Sequence, residues 1–131
     1  FFAVLAALLS TIVALLFAYR HKNIAESPVS MLIVSIMAIS SITLAMGYLL
    51  AFGTGLWPLI VIGHSLLALP FAYKIISNSL NSIPMQQLDS AASLGADALY
   101  TAKKVELPQI KNAIISAACF SFAVSLAMTG Q

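Results

Sequence analysis

Long stretches without charge alternate with two short polar passages along this chain. Residues 1–19, FFAVLAALLSTIVALLFAY, carry no charged side chain. At 1.5 Å per residue a helix of that length covers about 28 Å, close to a hydrocarbon core of about 30 Å. Residues 27–73 again contain no Asp, Glu, Lys or Arg. As one helix they would reach about 70 Å, more than twice the bilayer core, so the chain must fold back once within them. Gly53-Thr54-Gly55-Leu56-Trp57-Pro58 supplies the turn, because Gly and Pro interrupt the apolar run there. Trp57 suits the membrane–water boundary. The pattern predicts spans at about 1–19, 29–52, 57–76 and 110–129.

Backbone donors and acceptors find no water in lipid, so these spans are expected to be helices. A barrel would need alternation of period two, and runs such as LLALPFAY have none. The expected fold class is all-α: a polytopic membrane helix bundle of about four transmembrane helices with a helix–Gly–helix loop at about 77–109. Ser35, Ser40, Ser41, Ala45 and Gly47 in the second span are small enough for close helix packing. All six Lys and Arg lie after the first span or between the end of the third and the start of the fourth. With helices alternating in direction, both groups fall on one side, and the positive-inside rule makes that side cytoplasmic. Lys74, near the end of the third span, can snorkel to the headgroups. The chain begins inside an apolar run at Phe1 and ends at Gly130-Gln131, so it reads as part of one membrane domain of a longer chain.

Composition agrees with this reading and narrows the chemistry. Hydrophobic residues make up 61% and charged residues 8%, against roughly 45–50% and 25% in soluble domains. That leaves too little polar surface to cover a water-soluble globule. A net charge of +2, with basic residues not interleaved with aromatics, gives no footing for nucleic acid. One Cys and two His fall short of a usual metal-ligand set. The phosphate loop Gly-x-x-x-x-Gly-Lys-Ser/Thr and the motifs His-Glu-x-x-His and Gly-x-Ser-x-Gly are absent, so no enzyme activity and no cofactor are expected.

Residues 83–111, IPMQQLDSAASLGADALYTAKKVELPQIK, hold six of the ten charged residues. Pro84 can open a short helix, since its missing N–H is an orphan there anyway. Met85, Leu88 and Ala92 then share one face. Gly95 stands where that helix would stop in a left-handed residue, and Asp97 can cap a second helix. Ala98, Ala102 and Val105 would form its apolar side, with Lys103 and Lys104 near its end. Pro108 is expected to end it at Leu107. Spacing alone leaves two readings open, an amphipathic loop on the membrane surface or a docking element for a partner.

The segment Leu88-Asp89-Ser90-Ala91-Ala92-Ser93-Leu94-Gly95-Ala96, followed by Val105-Glu106-Leu107-Pro108, resembles the "EAA" loop of ABC-importer permeases. Asp89 stands at the Glu position, Ser90 and Ala91 at the two Ala positions, Gly95 at the Gly, and Val105, Leu107 and Pro108 at the aliphatic-x-Leu-Pro end. Ser65 to Pro84 is similar to permeases of the thiamine and iron(III) type. The resemblance implies an inner-membrane permease subunit of an ATP-driven importer. Its partners would be a cytoplasmic ATP-binding cassette ATPase, an extracytoplasmic substrate-binding protein, and a second permease half or homodimer partner, all in a lipid bilayer. Within it, Asp89, Ala92, Leu94, Gly95 and Ala96 would contact the ATPase or set the turn. Leu99 and Val105 would brace the second helix against the spans, and Pro108 closes the motif.

A few intramembrane residues remain. His64 is either a neutral side chain bonded to a neighbouring helix or part of a substrate pathway. Pro70 is expected to kink the third span or end a segment of it. Cys119 is expected to be a small buried hydrophobe. Phe71, Tyr73, Phe120 and Phe122 read as packing surface. The rival function is a secondary transporter or channel with no ATPase partner, working through intramembrane polar groups such as His64.

Overall fold

The computed structural model describes residues 1–20, 28–53 and 57–129. Helices α1 (Phe2–Arg20), α2 (Pro28–Ser35), α3 (Ser41–Phe52) and α4 (Trp57–Asn81) are followed by α5 (Met85–Ser93), α6 (Ala98–Thr101) and α7 (Leu107–Thr129). Among the described residues there is no strand, so the all-α expectation holds. Among the described residues, three helices are long and apolar enough to cross a membrane: Phe2–Arg20, Trp57–Asn81, and Ala98–Ala127, in which α6 runs into α7. The expected loop at His21, Lys22 and Glu26, the helix start at Ser27, the centre of the turn at 54–56, and Gly130-Gln131 lie outside the described residues.

The packing of α1, α4 and α7 follows from what lipid does to hydrophobicity. Acyl chains are as apolar as Leu, so large side chains gain little by turning inward, and helices associate through close contact of small residues. Accordingly α1 buries Ala3, Ala6, Ala7, Ser10, Thr11, Ala14 and Ala18, while Leu8, Ile12 and Leu16 face outward. On α7 the buried stripe is Ile110, Ala117, Ser121 and Ser125. Helix α4 lies between them, burying Ser65, Ala68, Ala72, Tyr73, Ile76 and Leu80. The Phe2 and Trp57 rings meet at 5.7 Å, so α1 and α4 run side by side in the same direction. Three buried hydroxyls bond within their own helices: Ser10 Oγ and Thr11 Oγ1 donate to the Ala7 carbonyl at 3.0 and 2.6 Å, and Ser65 Oγ to the Ile62 carbonyl at 2.8 Å. These three hydroxyls are thus satisfied without water, whereas those of Tyr19 and Ser121 are buried with no hydrogen-bond partner.

Several expectations need correction. The second span is not one rod. Met31–Ala38 and Ile42–Phe52 meet at 92°. A 3₁₀ turn covers Ile36–Ala38, and Ile39 and Ser40 are extended. Ser35 Oγ donates to the Met31 carbonyl at 2.7 Å, a back-bond that bends helices, and serine favours caps over helix interiors. The third span does not stop near 76 but continues to Asn81. Of the two alternatives for Pro70, ending a segment is excluded: it is fully buried inside α4, where it has no N–H to donate to the Leu66 carbonyl. Cys119 is exposed, not buried. It lies two residues from Ala117 and two from Ser121, about 200° around the helix from either, and so faces away from the bundle. The aromatic expectation is mixed. Phe71 and Phe120 pack at 5.1 Å and Tyr73 is buried, but Phe122 is exposed.

Helix α3 leans on α4 where Gly63 faces Tyr48. A Cβ added at Gly63 would lie 3.0 Å from the Tyr48 ring, so this residue sets the approach of the two helices.

The inverted packing has a direct test in thermal unfolding of the purified protein in detergent micelles. Ala14→Leu, at a site with no exposure, should destabilise by about 1–3 kcal/mol through overpacking. Leu16→Ala, at an outward site, should leave the melting temperature within error. A larger loss from Leu16→Ala would mean that the large residues hold the bundle together.

Candidate functional site

The polar end of the bundle is built from Ile83 to Ile110. Ile83 is buried, and Pro84 is the extended residue just before α5, one position earlier than a first helical residue. Helix α5 has no buried residue. Its one apolar foothold is Leu88, half-buried against the cluster that contains Leu80, Ile83 and Ile110. Met85 and Ala92, expected on the same face, are exposed. Ser90 Oγ and Ser93 Oγ donate to the carbonyls of Gln86 and Asp89 at 2.6 and 2.8 Å.

Gly95 ends α5 as its position in the sequence predicts. Its φ is +78°, which costs a residue with a Cβ about 1–2 kcal/mol. The Gly95 N–H donates to the Ala92 carbonyl at 3.0 Å and the Ala96 N–H to the Ala91 carbonyl at 3.1 Å. That pair of bonds is a Schellman motif, which satisfies two of the last carbonyls of the helix. A Cβ on Gly95 would meet nothing within 4 Å, so the requirement for glycine is one of backbone conformation alone. Asp97 caps α6 in extended conformation, its Oδ1 accepting from the Ala98 N–H at 2.8 Å.

The second helix does not end before Pro108. Thr101 leads into a π turn at Ala102–Glu106, and Leu107 is helical with φ −57° and ψ −43°. The Leu107 N–H donates to the Ala102 carbonyl, five residues back. An uninterrupted α-helix would drive the Pro108 ring into the Lys104 carbonyl. The wider turn admits the ring and lets α6 and α7 form one continuous helix. Glu106, inside this turn, is 3% exposed. A carboxylate so deeply placed was not foreseen; its free position between Val105 and Leu107 in the motif carried no sign of burial.

Asp89, Ala92, Leu94, Gly95 and Ala96 are brought together at the outer end of α5 and its turn, and all but half-buried Ala96 are exposed. Val105 is half-buried and Pro108 exposed. Leu99 does not brace against the spans; it is 67% exposed. His64 is remote from this group. It sits half-buried on α4 with Nδ1 3.3 Å from Ser125 Oγ of α7, the interhelical bond of the simpler reading. Across the polar end, Gln109 Nε2 donates to Gln87 Oε1 at 2.5 Å, a link with no signature in the spacing. Among the described residues, no three His, Cys, Asp or Glu side chains group to hold a metal.

An all-helical bundle of apolar helices with a polar helix–turn–helix at one end defines the class: a multi-pass membrane protein. The chain belongs to the family of binding-protein-dependent transport system inner membrane components, whose family model matches residues 7–129. It is similar to the spermidine/putrescine transport system permease protein PotC of Haemophilus influenzae, with 31% identity over 132 residues. That match covers 95% of this chain and 51% of the relative, so the chain spans about half the length of the curated protein it matches. The localisation is the inner membrane, and the permease family agrees with a subunit that is not itself an enzyme.

Gly95→Val should fray the end of α5, seen as faster amide exchange at Leu94 to Ala96, whereas Gly95→Asn should retain most of the protection because Asn tolerates left-handed geometry. Asp97→Ala should loosen α6 by about 1 kcal/mol through loss of the cap. Unchanged exchange in Gly95→Val would refute the backbone argument.

Proposed function

We propose that this chain is the membrane-embedded coupling part of an ATP-driven importer permease. The observation that carries the reading is α5: a helix with no buried residue, set by a Schellman turn at the polar end of the bundle, in a family of binding-protein-dependent transport components. A helix so exposed is a contact surface waiting for a partner. In this reading that partner is a separate cytoplasmic ATPase, gripping Asp89, Ala92, Leu94, Gly95 and Ala96. Differential contact with the two states of the ATPase biases the bundle between outward and inward access. An external binding protein delivers the substrate, and a second permease half completes the pathway.

The substrate class proposed is a polyamine, supported by the similarity to the spermidine/putrescine permease. It takes the place of the thiamine or iron(III) expectation, for which the relative gives no support. Family membership also weighs for the ATP-driven reading over an ion-gradient transporter or channel.

The test uses the full-length permease reconstituted in proteoliposomes with its ATPase and binding protein. Uptake of labelled putrescine or spermidine should be saturable and ATP-dependent, with thiamine and iron(III) failing to compete. Gly95→Val should lower substrate moved per ATP hydrolysed at least severalfold. In a Cys119→Ser background, Asp89→Cys should react with an impermeant thiol reagent from the cytoplasmic face only. Labelling from the outer face would end the proposal.

A further inference from the structure

We infer that the hydrogen bond between Gln87 and Gln109 is the strut through which movement of α5 reaches the membrane part of α7. The inference rests on the ATPase-coupling reading and specifies its mechanical route. Besides the apolar contact of Leu88, three routes lead from α5 into the bundle. The covalent link to α4 passes through Ser82, Ile83 and Pro84, a turn, a bend and an extended residue outside any helix, of which only Ile83 is buried. The covalent link to α7 passes through Leu94, Gly95 and α6, also exposed, and then through the π turn. Both contain non-helical or widened backbone that can absorb displacement.

The third route is the amide pair, and it skips every one of these joints. Gln109 lies on α7 just past the π turn, between Pro108 and Ile110. Ile110 has no exposure, so the backbone that carries Gln109 is anchored in the core. Gln87 precedes Leu88, the residue that seats α5 against the same core cluster. Each glutamine therefore stands beside an anchored neighbour, and the two amides, both exposed, meet at 2.5 Å across 22 positions of sequence. The apolar contact of Leu88 can slide; the amide pair fixes direction and register. Gln87 and Gln109 are thus positioning residues, acting on transport through the helices they join.

The experiment measures substrate moved per ATP hydrolysed by the reconstituted full-length transporter. Gln87→Leu and Gln109→Leu should each lower this ratio about fivefold or more, and the double variant should be no worse than either single. Gln87→Glu combined with Gln109→Lys should restore it, which loss of folding would not allow. Gln109→Asn, one methylene shorter but still polar, should lower the ratio where a Leu variant fails to assemble with its partners. A wild-type ratio in the single variants, additive losses in the double, or no restoration by the charged pair would overturn the strut. Gly95→Val separates the two levels. If it uncouples while the glutamine variants do not, only the strut falls; if it too keeps the wild-type ratio, the coupling reading falls with it.

Discussion

The close approach of α1, α4 and α7 through alanine and serine is the constraint on which the rest of the molecule depends. Lipid removes the usual reason for burying large side chains, so helices hold together only where their backbones come near enough for dense contact. Ala14, Ala72, Ala117 and Ser121 permit that nearness, and each is fully buried. The serine and threonine hydroxyls would be liabilities in hydrocarbon if left open; Ser10, Thr11 and Ser65 settle theirs on carbonyls one turn back. The outcome is a stiff three-helix body whose lipid-facing side carries the bulky residues.

A stiff body lets its polar end be specific in shape. Helix α5 contributes almost nothing to the packing, and its placement is governed by local backbone chemistry: an extended Pro84, a left-handed Gly95 and a capping Asp97. Such a unit keeps its form without being held in a core. The residues proposed to make the contact with a partner are nearly all exposed.

The legible parts of the sequence were those decided locally. Charge-free length located α1, α4 and the membrane part of α7, and Gly95 and Asp97 announced the turn and the cap because their chemistry acts within two or three residues. What escaped was decided by neighbours distant in sequence or by compensation. The apolar run at 29–52 concealed a right-angle break set by serine back-bonding and an extended Ser40. Pro108 looked like a stop, yet a widened turn absorbed its ring. Cys119 and Leu99 were misjudged because burial depends on which helix lies opposite, and the sequence does not say. The Gln87–Gln109 pair and the deep Glu106 left no mark in periodicity at all.

The π turn at Ala102–Glu106 carries one residue more than an α-helix would use over the same path. That surplus is a single notch of slack in a rod of 30 residues. Drawing it in would screw one side by about 100° and slip it about 1.5 Å relative to the other, and would drive the Pro108 ring into the Lys104 carbonyl. Pro108 has no N–H to offer a migrating ladder, so it acts as a pawl that keeps the notch from travelling toward the membrane. The wide turn is therefore fixed where Pro108 needs it, and the long helix is continuous through it.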